Sequence, residues 1–90
     1  MEAPHNQLIY AFPRMQGEEI QINLQKYKDK YYIDLRLWYQ PKNESVLRPT
    51  KKGIFVAVEK LPELRKGLDR MSKATEKLRR ITEEDFTPLT

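Results

Sequence analysis

The sequence contains no cysteine, a single histidine and no long apolar run among its 90 residues. Without cysteine there is no disulfide framework, no thiolate metal site and no cysteine nucleophile. His5 lies alone in a polar N-terminal stretch, so a histidine-based metal site is not expected. The N-terminus lacks a signal-peptide pattern, and no segment reaches the about 18 apolar residues of a membrane span. We therefore expect a cytoplasmic protein, nucleoid-associated if bacterial, with no cofactor, metal or membrane partner.

Catalytic groups are scarce as well. Besides the missing cysteine and the single histidine, the sequence has no paired carboxylates on one apolar face. A nucleophile with a neighbouring base is the minimum that most hydrolytic or transfer enzymes need, and none is visible here. The sequence therefore predicts a binding protein and not an enzyme.

Positive charge is concentrated in the middle of the chain. Residues 26–66 carry eleven Lys and Arg against five Asp and Glu, whereas residues 1–25 and 82–90 are net negative. The complete chain has a net charge of +4. A basic centre favours a polyanionic partner such as nucleic acid, although basic residues also serve simply to keep a surface solvated.

Two segments alternate between apolar and polar residues with a period of two, which is typical of antiparallel strands with one wet face. Their apolar positions are Ile20, Ile22 and Leu24 in the first segment and Ile33, Leu35 and Leu37 in the second. Shorter apolar runs predict further strands over residues 8–12, 46–48 and 54–58, with a basic corner at 50–53. The resulting order is β-β-β-β-β-α, an α+β fold with four or five strands, depending on whether the first is a bent extension of the second.

Apolar residues at steps of three and four predict one long helix over residues 61–81. Such a helix is about 30 Å long, which is more than a small sheet can cover. We expect each helix to pack on its own sheet and against a second copy, through Leu64, Leu68, Met71 and Leu78; the alternative is a monomer with a projecting helix end. Residues 8–81 then form a single domain between a flexible N-terminus, residues 1–7, and a flexible acidic tail, residues 82–90.

Two motifs carry a resemblance. The sequence IDLRLWY at residues 33–39 and the sequence LRPTKKGI at residues 47–54 are separated by a short polar loop and followed by the predicted helix. This pattern resembles the single-stranded-DNA-binding domain of the positive cofactor 4 family of transcriptional coactivators, in the short form of bacteria and phages. The resemblance covers about residues 18–80. Gln25 stands where eukaryotic members are basic, and Leu37 where the family often has Glu.

The resemblance implies a curved antiparallel sheet with a C-terminal helix, a homodimer, and a channel for an unpaired strand on each sheet. Carried over by position, the basic contacts are Lys28, Lys30, Arg36, Arg48, Lys51 and Lys52. The stacking rings implied by the resemblance are Tyr27 and Tyr39. Simple alternation places Trp38, and not Tyr39, on the side of Arg36, so both rings remain candidates unless a bulge exchanges them.

The predicted function is binding of single-stranded DNA with little sequence preference, as a cofactor-like protein that supports transcription, replication or repair and contacts proteins of those processes. An adaptor that docks acidic protein partners is one alternative, and a binder of single-stranded RNA is another. At the level of residues, Arg36 could pair with Asp34 on its own side of the strand, with Asp34 in a structural role. Lys51 and Lys52 could equally belong to a merely solvated turn.

Overall fold

The computed structural model describes the backbone of residues 6–81 and the side chains of residues 6–78. In chain order the elements are β1 (Asn6–Pro13), β2 (Glu18–Tyr27), β3 (Lys30–Tyr39), β4 (Arg48–Ala57), a short 3-10 helix (Val58–Lys60) and α1 (Leu61–Ile81). The chain forms two compact units, one containing the sheet up to Val58 and the other starting at Glu59 and containing α1. The predicted acidic tail at 82–90 lies outside the described residues.

The four strands form one open antiparallel sheet in the order β1-β2-β3-β4. The pairing of β2 with β3 is regular from Glu18 opposite Tyr39 to Tyr27 opposite Lys30. The two residues between these strands both have positive φ angles, 49° at Lys28 and 66° at Asp29. Positive φ at both positions is the geometry of a type I′ turn, which matches the twist of the strands it joins. The two alternating segments of the sequence are therefore joined by a tight β-hairpin.

The register gives the sheet two chemically different faces. The apolar face carries the alternating aliphatic positions of β2, β3 and β4: Ile20, Ile22, Leu24, Ile33, Leu35, Leu37, Ile54 and Val56. The polar face carries the residues between them: Gln21, Asn23, Gln25, Tyr27, Lys30, Tyr32, Asp34, Arg36, Trp38 and Phe55. The predicted alternation in β2 and β3 is confirmed, since Ile33 and Leu37 are buried.

The polar face is not the wet side that the alternation predicts. Asn23 is 2% exposed and Asp34 is 6% exposed, less than either buried aliphatic residue of the opposite face. Buried polar groups are tolerated only when hydrogen-bonded, and here two amides bond to each other and to a carboxylate. Asn23 Nδ2 donates to Gln21 Oε1 at 3.2 Å, and Gln21 Nε2 donates to Glu19 Oε2 at 2.8 Å.

The predicted antiparallel sheet of four or five strands followed by one helix is confirmed with four strands, but the predicted basic corner between two separate strands was wrong. Residues 48–57 form the single strand β4, and residues 50–53 lie inside it, where its register with β3 shifts between Arg36 and Trp38. Pro49 and Gly53 are local signals of a corner, but pairing with β3 continues on both sides of the shift. β1 begins at Asn6, two residues before the strand expected from the sequence.

The long helix is confirmed, and α1 has the predicted bounds. Pro62 occupies its first turn, where the missing N–H has no helical partner to lose. Of the residues predicted to pack, Leu64 is half-buried, whereas Leu68, Met71 and Leu78 are exposed by 60%, 60% and 52%. Among the described residues, no helix is long and apolar enough to cross a membrane.

Candidate nucleic-acid interface

The tip of the β2–β3 hairpin presents an aromatic ring together with cations. Tyr27 is 56% exposed, and the Lys28 ammonium nitrogen lies 5.3 Å from the centroid of its ring. Lys30 is paired directly with Tyr27 across the hairpin, so both lie at polar-face positions. A ring that is open to solvent and flanked by cations can stack on a base while the cations contact phosphates. These three predicted residues are therefore brought together by a two-residue turn.

The register decides which of the two neighbouring rings shares the face of Arg36. Because the pairing of β2 with β3 contains no bulge, alternation holds through the end of β3, and Trp38 lies on the polar face. Tyr39 lies at an apolar-face position and is 41% exposed. The Trp38 ring is half-buried, and its indole Nε1 is buried without a hydrogen-bond partner. The bulge that could have exchanged the two rings lies in β4 and not in β3.

Arg36 is held in a hydrogen-bonded network across three strands. Its Nε donates to Asp34 Oδ1 at 2.8 Å, and its Nη1 donates to the backbone oxygen of Thr50 at 3.0 Å. Asp34 Oδ2 accepts a further bond from Gln25 Nε2 at 2.6 Å. The Arg36 side chain is only 18% exposed. The geometry thus contains the pairing that the sequence left open, with Asp34 positioning the arginine.

The irregular part of β4 is stabilised by one threonine and one glycine. Thr50 Oγ1 donates to the backbone oxygen of Leu37 at 2.8 Å and accepts from the backbone N–H of Lys52 at 3.1 Å. A Cβ at Gly53 would lie 2.6 Å from the Leu35 backbone oxygen, so only glycine fits this close approach. Lys51 and Lys52 between them are exposed, and the part of the chain with described side chains offers them no ion pair.

Arg48 has a partner in the β3–β4 loop. Its Nε and Nη2 both lie close to Glu44 Oε1, at 2.7 and 2.6 Å. The hydrogen bond and the negative charge of Glu44 raise the pKa of the Arg48 guanidinium above its usual value. The loop is itself anchored, since Gln40 Nε2 donates to the Glu44 backbone oxygen at 2.9 Å. Among the described side chains, two of the six predicted cations, Arg36 and Arg48, therefore pair with a carboxylate. The other four, Lys28, Lys30, Lys51 and Lys52, have no such pair there.

A groove of about 460 Å³ runs over the polar face. Its lining residues are Asn6, Gln25, Asp34, Arg36, Trp38, Pro49, Thr50 and Phe55. Phe55 was missed as a site residue, and its ring stacks on that of Tyr32 with centroids 4.6 Å apart. The signal was present, because Phe55 alternates with Ile54 and Val56 and must face away from them. Gln25 was also missed, because a hydrogen bond across two strands leaves no trace in local sequence.

The arrangement of rings and cations can be compared with known proteins. Residues 15–67 match the model of the family described as Transcriptional Coactivator p15 (PC4). The chain belongs to the PC4 family. This family is known for DNA binding and coactivator roles. No curated protein sequence matches the chain.

Solved structures of PC4 proteins have the same fold. A PC4 homologue from Burkholderia pseudomallei is 25% identical with a TM-score of 0.69, covering 74% of this chain and 97% of its own. The bacteriophage T5 homologue of the eukaryotic coactivator PC4, described as implicated in recombination-dependent DNA replication, is 20% identical with a TM-score of 0.67. That alignment covers 88% of this chain and 90% of the phage chain.

The PC4 match begins before β2 and ends at residue 67, in the second turn of α1. All nine predicted interface residues lie within it, while Leu68, Met71 and Leu78 lie beyond it. In the described part of the chain, no group of three or more His, Cys, Asp or Glu side chains could hold a metal ion.

Proposed function

We propose that this PC4 protein is a homodimer that binds single-stranded DNA with little base preference. It is a cytoplasmic, cofactor-like binding protein that supports transcription, replication or repair, and it carries out no catalysis. The observation that carries the proposal is the hairpin tip, where the exposed Tyr27 ring stands beside Lys28 and opposite Lys30. A ring of this kind can stack on bases that are unpaired and open, as the bases of a single strand are.

Binding draws its affinity mainly from the release of counterions by cations that are free to meet phosphates. Lys28, Lys30, Lys51 and Lys52 have no ion pair among the described side chains, whereas Arg36 and Arg48 are already neutralised by carboxylates. Each contact contributes about 0.7 to the slope of log affinity against log salt for single strands. Four lysines give a slope of about −3 per protomer, and all six cations give about −4.

The test is a titration of the full chain with a single strand, its matched duplex and the RNA of the same sequence, at two salt concentrations. The single strand of DNA should bind more tightly than the duplex, because duplex bases are stacked on one another and unavailable to rings. Equal affinity for the single strand and the duplex would refute the proposal. Tighter binding of the RNA would reassign the same surface to single-stranded RNA.

The ring variant separates nucleic-acid binding from an adaptor function. Tyr27→Ala should weaken single-strand binding by about 1–3 kcal/mol, the range measured for one stacked base. The matched control is Tyr10→Ala, because Tyr10 is similarly exposed, at 61%, but lies at an apolar-face position on the edge strand β1. If both variants bind DNA like the parent chain, no stacking exists and an adaptor that docks acidic proteins becomes the better description.

The homodimer is supported by the exposed apolar residues of α1. Leu68 and Met71 are each 60% exposed on the same side of the helix. Large apolar side chains exposed in a row are a common mark of an interface between chains. Sedimentation of the chain and of Leu68→Glu should give a dimer and a monomer respectively; a parent chain that sediments as a monomer at micromolar concentration would refute the dimer.

A further inference from the structure

Helix α1 carries a second stripe that the proposed function does not use. Four basic residues recur at steps of four, three and four: Lys66, Arg70, Lys73 and Lys77. At about 100° per residue these positions fall within an arc of about 60°, roughly opposite the apolar stripe around Leu64, Leu68 and Met71. We call these four residues the basic stripe. It extends over about 16 Å of the helix axis.

The four cations of the basic stripe are available to a partner. All four are exposed, and the ion pairs found within 4 Å among described side chains include none of them. Asp69 flanks the stripe at a spacing that could reach Lys73, yet the two make no ion pair. Like charges at spacings of three and four oppose helix formation. Such a stripe gains most when an external anion neutralises it.

The helix also lacks what a single strand requires. Residues 61–81 contain seven Lys and Arg against three Asp and Glu, but no Phe, Tyr or Trp. Lysines contact phosphates but do not stack on bases, and Arg70 is the one residue of the stripe with a planar group, so the stripe offers little preference for unpaired nucleotides. The partner that fits is a polyanion whose bases are already stacked. Duplex DNA has one phosphate charge per about 1.7 Å of its axis, and its major groove is wide enough for an α-helix.

We propose that the basic stripe of α1 is a second nucleic-acid surface, which contacts the phosphate backbone of duplex DNA. It is distinct from the ring-bearing interface on the sheet, and it stands whether or not the sheet binds single strands. Arg70, Lys73 and Lys77 lie beyond the part of the chain that matches the PC4 family model, which ends at residue 67. Of the four residues of the basic stripe, the family model therefore describes Lys66 alone.

The test uses the full chain and a triple variant, Lys66→Gln, Arg70→Gln and Lys73→Gln. Each lost duplex contact should make the salt slope shallower by about 0.9, so three contacts amount to about 2.7. Between 50 and 200 mM salt the parent chain should then lose about 40-fold more duplex affinity than the variant. The matched control is the triple variant Lys42→Gln, Lys60→Gln and Arg65→Gln, which removes the same charge outside the stripe and the interface.

The duplex salt slopes of the two triple variants decide whether the basic stripe binds duplex DNA. A shallower duplex slope in the stripe variant alone, with single-strand affinity much less affected, supports the proposal. Equal slopes in the two triple variants would overturn it, because only net charge would then count. Binding to vesicles of anionic phospholipid through the stripe, with duplex affinity unchanged by the variant, would also overturn it and assign the helix to a lipid surface.

Folding of the variant is checked independently. Gln has nearly the helix propensity of Lys and Arg, so the far-ultraviolet circular dichroism should not change. If it does, the same three positions are changed to Ala, the best helix former, and the titration is repeated. Ring variants of the sheet, such as Tyr27→Ala, serve as the opposite case: they should weaken single-strand binding and leave the duplex salt slope at its parent value.

Discussion

The arginines and the lysines of the interface look alike in sequence and differ in structure. Arg36 and Arg48 each contact a carboxylate, Asp34 at 2.8 Å and Glu44 at 2.6 Å. Lys51 and Lys52, in the same strand as Arg48, are exposed and have no ion pair among the described side chains. A cation with a carboxylate partner must give up that partner, or share it, before it can bind a phosphate.

This difference shows that the position of a cation in the motif does not determine whether it pairs with a carboxylate or stays available to a phosphate. Arginine has a planar fork of donors that suits bonds in fixed directions, and Arg36 uses it to join β3 to the irregular part of β4. Lysine carries a compact charge on a flexible side chain, which suits contact with the mobile sugar–phosphate backbone of a single strand of DNA. We infer that Arg36 organises the interface, that Arg48 is held by Glu44 of its own loop, and that the lysines bind the single strand of DNA.

The largest expected effect comes from removing the carboxylate of Arg36. Asp34→Ala leaves two donors, Arg36 Nε and Gln25 Nε2, without their acceptor in a place that is almost closed to water. Loss of a buried partner of a charged group should lower the free energy of unfolding by about 3 kcal/mol. Urea denaturation followed by circular dichroism measures this loss.

Glu44→Ala is the matched control for Asp34→Ala. It removes the carboxylate of the other arginine, but the Arg48 side chain is 57% exposed and water can replace the lost partner. The free energy of unfolding should therefore stay within the error of the measurement. If both variants destabilise the chain equally, the distinction between an organising and an exposed pair is wrong.

A somewhat smaller loss is expected from Gly53→Ala. The new Cβ would lie 2.6 Å from the Leu35 backbone oxygen and 2.8 Å from Arg36 Cα, and neither backbone atom can move without shifting β3. Overpacking of this kind costs about 1–3 kcal/mol. Gly67→Ala provides the contrast, since nothing lies within 4 Å of a Cβ there and alanine should stabilise α1 by up to about 1 kcal/mol. A lower urea midpoint for Gly53→Ala and a higher one for Gly67→Ala, each relative to the parent chain, would confirm the close approach of β4 to β3 at Gly53.

Much of the fold could be predicted because it follows from local periodicity. Alternation places Ile33 and Leu37 on one face and Asp34 and Arg36 on the other, and the register confirms it. The apolar residues at steps of three and four likewise predict the length of α1. These patterns need no knowledge of what lies across the sheet.

The remaining features depend on partners that are distant in sequence. The irregularity in β4 is held by Thr50 and Arg36, from two strands, and local signals at Pro49 and Gly53 suggest a corner instead. Burial of Asn23 depends on neighbours on its own and adjacent strands, so composition alone predicts a wet face. The pairing of Glu44 with Arg48 spans only four residues, but a spacing of four predicts contact on a helix, and Glu44 lies in a loop.

The smallest expected effect tests whether Glu44 of the β3–β4 loop keeps Arg48 from binding a phosphate. Glu44→Gln keeps the size of the side chain and removes the charge that neutralises Arg48. The freed guanidinium should then add one phosphate contact, making the single-strand salt slope steeper by about 0.7 and raising affinity about fivefold at 0.1 M salt. Glu18→Gln is the control, because Glu18 forms the equivalent i,i+4 pair with Arg14, which lies outside the proposed interface.

Higher single-strand affinity in both Glu44→Gln and Glu18→Gln would mean that loss of any negative charge strengthens binding. Release of Arg48 would then not explain the gain. The decisive arm is the double variant Arg48→Gln with Glu44→Gln. If the gain comes from Arg48, it disappears in the double variant, and the two changes are strongly non-additive. If the gain in affinity persists in the double variant, the Glu44 carboxylate acts by directly repelling the phosphates of the DNA. Arg48 would then belong with Arg36 among the arginines that organise the interface without touching the strand.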